Sequence, residues 1–316
     1  MPPPSPRPAR FFCSTVGFVH EQNFGLITPV LTLLPRAHAR WEQLGGIEEV
    51  LAIAVASDRL GFHHITCSEH VAISNDVAEV RGSRYWDPLA TFGYLAAHTT
   101  ALRFATHVLV LGYHHPLDIV KRYGTLDHVC GGRVILGVGV GSLREEFELL
   151  GAIFDGRGER ADDALRALRS CFGVTQPHYS GSHYTIDNVS IAPAGPRRDV
   201  PIWIGGRTVR SLRRAVALGD GWVPFGLSPA EIANMLQGAR NTDHWQQRVQ
   251  PLAVWLQPES PVDPIDSPHA TLDALRLLVD AGATGINLRF IHHSLAHYIE
   301  QLEALKGLAP QVASPN

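Results

Sequence analysis

The sequence predicts a single α/β domain, a (β/α)8 TIM barrel. Strand-like and helix-like segments alternate almost to the end of the chain, and the units number eight. The strands also lack the polar/apolar alternation of a sheet with one wet face, as expected when helices cover them. A length of 316 residues suits one barrel of roughly 250 residues plus insertions. We expect the insertions after strands 1, 2 and 4. The predicted domains are a Pro-rich tail over 1–10, a barrel over 11–310 and a short tail over 311–316.

In order, Ser14 to Val19 reads as strand one. Ile47 to Leu60 has apolar residues at helical spacing and stops at Gly61. His63 to Cys67 is strand two, and Asp87-Pro88 opens the next helix with an N-cap and a first-turn proline. Leu102 to Leu111 is strand three and Pro116 to Val129 its helix. Arg133 to Val138 is strand four, followed by a helix from about Ala161 to Phe172. Pro201 to Ile204 and Thr208 to Leu218 form the fifth unit. Trp222-Val223 is strand six, with a helix capped by Ser228-Pro229. Leu252 to Leu256, Leu272 to Asp280, Gly285 to Phe290 and Ser294 to Leu305 complete the series.

Composition excludes several classes. There are 27 basic and 30 acidic residues, a formal charge of −3, so nothing steers the chain to nucleic acid or an acidic membrane. The longest apolar run, Val50 to Ala56, is far too short to span a bilayer. Cys13, Cys67, Cys130 and Cys171 are widely spaced, which argues against a zinc cluster or disulfide framework and for a cytoplasmic protein. The segment Met1 to Pro8 has no apolar core of the kind a signal peptide needs and reads as disordered. Seventeen histidines include the pairs His63-His64, His114-His115 and His292-His293. Adjacent strand residues face opposite ways and no His-x-His occurs, so no metal is expected. No Gly-x-Ser-x-Gly elbow is present.

Three stretches exceed tight connections: Gln22 to Trp41, Val71 to Trp86 and Thr175 to Pro196. Loops after barrel strands gather at the C-terminal mouth, so the first two are expected to cover the site as lids and the third to join the same rim. Gly131 to Gly141 runs a buried strand into alternating glycines. These either admit a planar ring to the backbone or pack a barrel corner. Ser142 and Arg144 stand where a dinucleotide fingerprint needs glycine. Pro201 to Thr208 ends a strand in Gly205-Gly206 and opens a helix with Arg207-Thr208. It is a phosphate site, or a plain corner with Thr208 as N-cap. Ser68-Glu69-His70 brings a carboxylate and an imidazole to the end of strand two, either as proton-transfer groups or as a solvated pair. Phe18, Trp86 and Trp222 are candidates for an apolar substrate wall, or plain core.

Taken together, ten ordered stretches resemble the bacterial luciferase-like flavin and deazaflavin oxidoreductases. They are Val16-Gly17-Phe18, Ala56 to Phe62, Ser68-Glu69-His70, Asp87 to Thr91 and Thr106 to Val110, then Thr125-Leu126-Asp127 with Gly131 to Gly141. Glu146-Phe147 with Gly151, Arg157 to Arg160, Pro201 to Gly206 and Gly219 to Trp222 complete the set. The resemblance covers residues 14 to 224, and the last third matches only as barrel pattern. It implies a cofactor at the mouth and two-electron chemistry at its ring.

The Ile-Gly-Gly-x-Thr loop and the acid-His pair resemble the members that use coenzyme F420. In that branch the residue matching His70 assists proton or hydride movement. Glu69, His107 and Val108 to Val110 match ring contacts, with a non-proline cis bond at His107-Val108. Gly139, Val140 and Gly141 lie along the cofactor, and Gly205 to Thr208 hold its phosphate. Ser142 replaces the acid of some sugar-phosphate dehydrogenases, and Glu69 replaces the commoner Asp. The implied protein is a cytoplasmic F420-dependent oxidoreductase, expected as a homodimer acting on a small molecule. The alternatives are an FMN-dependent monooxygenase fed by a separate reductase, and a barrel that only binds flavin.

Overall fold

A computed structural model describes residues 23–35 and 37–312. Eight parallel strands form the barrel: β1 Asn23–Leu26, β2 His64–Cys67, β3 Arg103–Thr106, β4 Val134–Gly139, β5 Ile202–Gly205, β6 Gly221–Val223, β7 Ala253–Leu256 and β8 Gly285–Leu288. Each pairs with its neighbour in sequence. Closure comes from β8 beside β1, with Asn23 opposite Gly285. Helices run between the strands, among them Ile47–Arg59, Pro88–Ala96, Pro116–Val129, Arg157–Cys171 and Val209–Leu218. Asp87 caps Pro88–Ala96 by accepting from Ala90 N at 2.8 Å, worth about 1 kcal/mol.

Strand residues alternate between two cores. Phe24, Ile65, Phe104, Leu136, Ile204, Trp222, Val254 and Ile286 face the helices in one large apolar layer. Ala105, Ile135, Trp203, Val223 and Trp255 face inward, with His63 and His64 against the two indoles. The wide rings fit because small residues oppose them. A Cβ on Gly25 would stand 2.1 Å from the His64 ring. The segment Ser14 to Val19 lies outside the described residues. The first described strand is Asn23–Leu26, inside the range assigned to loop one. Its Gly25 weakens the strand signal but is what His64 requires.

Two other features depart from expectation. The third strand stops at Thr106 and pairing resumes at Leu109–Val110; between them the His107-Val108 peptide is cis, as the resemblance implies. The third excursion leaves the bottom of the barrel rather than the mouth. Arg197 ties its root to Asp127 and to the Val134 carbonyl, where β4 begins. Its hairpin, Tyr179–Ser180 with Thr185–Ile186, then climbs the outer helices, where Asp163 accepts from Tyr179 Oη and the amides of His183 and Tyr184. At the C-terminal end, Val312 is still buried in the core. No helix among the described residues is long and apolar enough to cross a membrane.

Loops one and two form a single cover. Trp86 N donates to Leu31 O at 3.1 Å, Leu33 N to Arg84 O at 3.4 Å, and the Arg84 guanidinium to the carbonyls of Glu42 and Gln43. Trp41 Nε1 donates to His292 Nδ1 at 3.0 Å, joining loop one to the chain after β8.

Candidate active site

The ends of β2, β3 and β4 bring two acid–imidazole couples together at the mouth. Glu146 lies on the short helix Arg144–Leu149 after β4. It is buried and accepts four bonds. His70 Nδ1 is 2.6 Å and Tyr113 Oη 2.8 Å from Oε2; the amides of Val71 and Ala72 reach Oε1 at 2.7 and 3.3 Å. Burial alone would raise the Glu146 carboxyl, but the bonds from His70, Tyr113 and Val71 outweigh it and hold the group below its ordinary range. Burial, reinforced by Glu146, raises the Tyr113 phenol, which stays a donor. An ionised carboxylate only accepts, so His70 carries its proton on Nδ1 when neutral. That leaves Nε2 without a protein partner among the described residues, on a side chain 18% exposed against 1% for Glu146.

Glu69 points the other way. Its oxygens take Val110 N and His114 Nε2, each at 2.7 Å. Each oxygen thus accepts one bond from the protein, and the residue anchors the segment after β3. The side chains of Leu109 and Val110 are buried in the protein as well. Val108 alone of the three is part-exposed. Its methyls lie over Gly139 and Gly205, where an added Cβ would come within 2.7 Å of them. The space above Gly141 is filled by Phe147 and Val110. So these glycines make room for the protein's own side chains, the packing role that the sequence also allowed. Val140 packs partly on the outer core. His107 donates its amide to Cys67 O, and Ser68 Oγ donates to its carbonyl. Burial lowers its imidazole to about 4, so it is neutral at pH 7.

At the end of β5, Gly206 adopts φ +129 and the helix Val209–Leu218 begins after Thr208. Thr208 Oγ1 accepts from Ser211 N, a cap that leaves its hydroxyl hydrogen free to donate. Arg207 is exposed. Trp222 does not line the mouth. It is fully buried between barrel and helices, and its Nε1 donates to Gly206 O at 3.2 Å, so it props the loop from behind. Trp86 is half-buried on loop two, its carbonyl 3.3 Å from Cys67 Sγ. Phe18 lies outside the described residues. Sequence reasoning missed Glu146 and Tyr113. Glu146-Phe147 was among the matched stretches, but nothing local tells that its carboxylate reaches back to His70.

These residues fit a cofactor with a flat ring and an anionic tail. They provide an apolar Val108 platform, an imidazole nitrogen without a protein partner, and a helix N-terminus with a cation beside it. A parallel eight-stranded barrel with its polar cluster at the strand C-termini defines the class as a TIM-barrel enzyme fold. The luciferase-like monooxygenase family model matches residues 28–257, and the chain belongs to that family. It is similar to the uncharacterized protein Rv0940c of Mycobacterium tuberculosis (strain ATCC 25618 / H37Rv), 31% identical over 196 residues, 62% of this chain and 65% of that one. It is also similar to the F420-dependent glucose-6-phosphate dehydrogenase of Microbacterium testaceum (strain StLB037), 27% identical over 183 residues, 56% of this chain and 52% of that one. The matches thus span less than two thirds of these relatives' lengths. Among solved structures, the monooxygenase RslO1 from Streptomyces bottropensis shares the fold, with a TM-score of 0.73 and 18% identity over 92% of this chain and all of that one.

Proposed function

We propose that the protein is an oxidoreductase that uses coenzyme F420 for hydride transfer to or from a small organic substrate. The observation that carries this reading is the Glu146–His70 couple, which holds one imidazole nitrogen and leaves the other at the mouth. When bound, the cofactor supplies two-electron chemistry. The chain's residues supply the rest. Gly205 to Thr208 receive the phosphate, Val108 offers an apolar surface to the ring, and His70 Nε2 takes or gives a proton at the substrate. The ionised Glu146 steadies the imidazolium form of His70. F420 is favoured by the Ile204-Gly205-Gly206-Arg207-Thr208 loop and by the similarity to the F420-dependent Microbacterium relative. The second reading, an FMN-dependent monooxygenase with a separate reductase, is favoured by the fold shared with RslO1. Either way the enzyme is read as a cytoplasmic homodimer working on small molecules.

Fluorescence titration of the purified protein with F420 and with FMN tests the choice. The reading expects saturable F420 binding and none of FMN. Binding of FMN alone transfers the site to the second reading, and binding of neither removes both.

A further inference from the structure

Arg289 follows β8 directly. Along that strand Ile286 and Leu288 belong to the outer core and so does Phe290, whereas Gly285 faces Trp255 inside the barrel and Asn287 lies against His64. The backbone stays paired through this point. Val262 N donates to Arg289 O and Ile291 N to Val262 O, both at 2.9 Å. Alternation therefore aims Arg289 inward at the mouth end, above Asn287.

Its guanidinium is half-buried and poorly satisfied. Arg197 has the carboxylate of Asp127, Arg133 makes four bonds to carbonyls and a hydroxyl, and Arg248 makes four to carbonyls. Among the described residues Arg289 makes one, from Nη2 to Glu259 O at 3.4 Å, and no carboxylate lies within ion-pair distance. Burial pulls its pKa below the usual guanidinium value. A half-desolvated cation with most of its five donors unused favours a planar anion that can accept two of them at once.

Position separates this anion from the cofactor's phosphate. β8 adjoins β1, which adjoins β2, so Arg289 stands on the same side of the mouth as His70. The loop after β5 lies three strands away in the other direction. We propose that Arg289 receives an anionic group of the substrate, a carboxylate, sulfonate or phosphate, while its reacting carbon lies toward His70. The proposal rests on the mouth being the redox site.

Calorimetric titration with acetate, methanesulfonate and inorganic phosphate tests it, on the protein alone and on the protein saturated with F420. At least one anion should bind the parent. Its affinity should fall about tenfold or more in Arg289→Gln, the worth of one charged hydrogen bond. Arg289→Lys should recover part of the loss, and Arg207→Glu none of the effect, with F420 affinity unaltered by either Arg289 change. No anion binding by the parent, equal binding by Arg289→Gln, or loss only in Arg207→Glu overturns the proposal. Should Arg289→Gln not fold, a shift of the Arg289 Nε resonance on adding the anion decides the matter in the parent. An Arg289-dependent response in a protein that binds no F420 would remove the cofactor reading and keep the anion site.

Discussion

Glu146 Oε2 and His70 Nδ1 lie 2.6 Å apart across 76 residues of chain. The bond joins the end of β2 to the helix after β4, and the same carboxylate receives Tyr113 from the segment after β3. One buried acid thus ties three consecutive barrel units and chooses which imidazole nitrogen is left over.

Replacing Glu146 by Gln keeps the volume but removes the charge. The side-chain NH2 must then face either the His70 and Tyr113 pair or the amides of Val71 and Ala72. Urea unfolding should show a loss of about 1–3 kcal/mol. Turnover should fall about 10- to 100-fold, the worth of one charge-assisted bond. A variant with parent stability and turnover would show that the bond positions nothing.

His70→Asn removes the imidazole that can carry a proton on either nitrogen while keeping a hydrogen-bonding edge for Glu146. Turnover should fall about 10²–10⁴-fold, with F420 affinity within about tenfold. Single-turnover stopped-flow reads the step directly. Hydride transfer at the parent rate would make His70 a structural residue.

Gly139→Ala would drive a methyl to 2.7 Å from Val108 Cγ2. The expected cost is about 1–3 kcal/mol in urea unfolding. Adding Val108→Ala should return much of it, because the second change removes the colliding atoms. Strictly additive losses would mean that the two side chains do not compete for one space.

Acid should destabilise the fold before the carboxylates titrate. Burial lowers His63 to about 3 and His107 and His292 to about 4, against 6.5 in the open chain. Between pH 6.5 and 4 the unfolded chain therefore binds protons that the folded chain refuses, so stability is full above 6.5 and falls as pH drops. Each histidine should contribute about 1–2 kcal/mol of loss between pH 7 and 5. His292 has a visible reason to stay neutral, since its Nδ1 accepts from Trp41. Urea midpoints that do not change from pH 7 to 5 would contradict this.

Most of the barrel was legible because buried parallel strands are apolar throughout and helix starts carry Asp87-Pro88, Thr208 and Ser228-Pro229 caps. The first described strand was not, because its Gly25, which leaves room for the ring of the paired His64, weakens the strand signal. The same limit governs the site. His70 and the Gly205 to Thr208 corner stand out in the sequence because each is a local pattern. Glu146, Tyr113 and His114 acquire their partners only when β2, β3 and β4 come side by side. Trp222 shows the converse: a large aromatic at a strand end suggests a pocket wall, but strand alternation turns it outward behind Gly206.

A crystal structure of the protein with F420 tests the central claim most directly. The account predicts the cofactor phosphate on Gly205 to Thr208 and the ring against Val108, with His70 in contact and still bonded to Glu146. A cofactor held elsewhere, or a His70 turned away from both ring and Glu146, would contradict it.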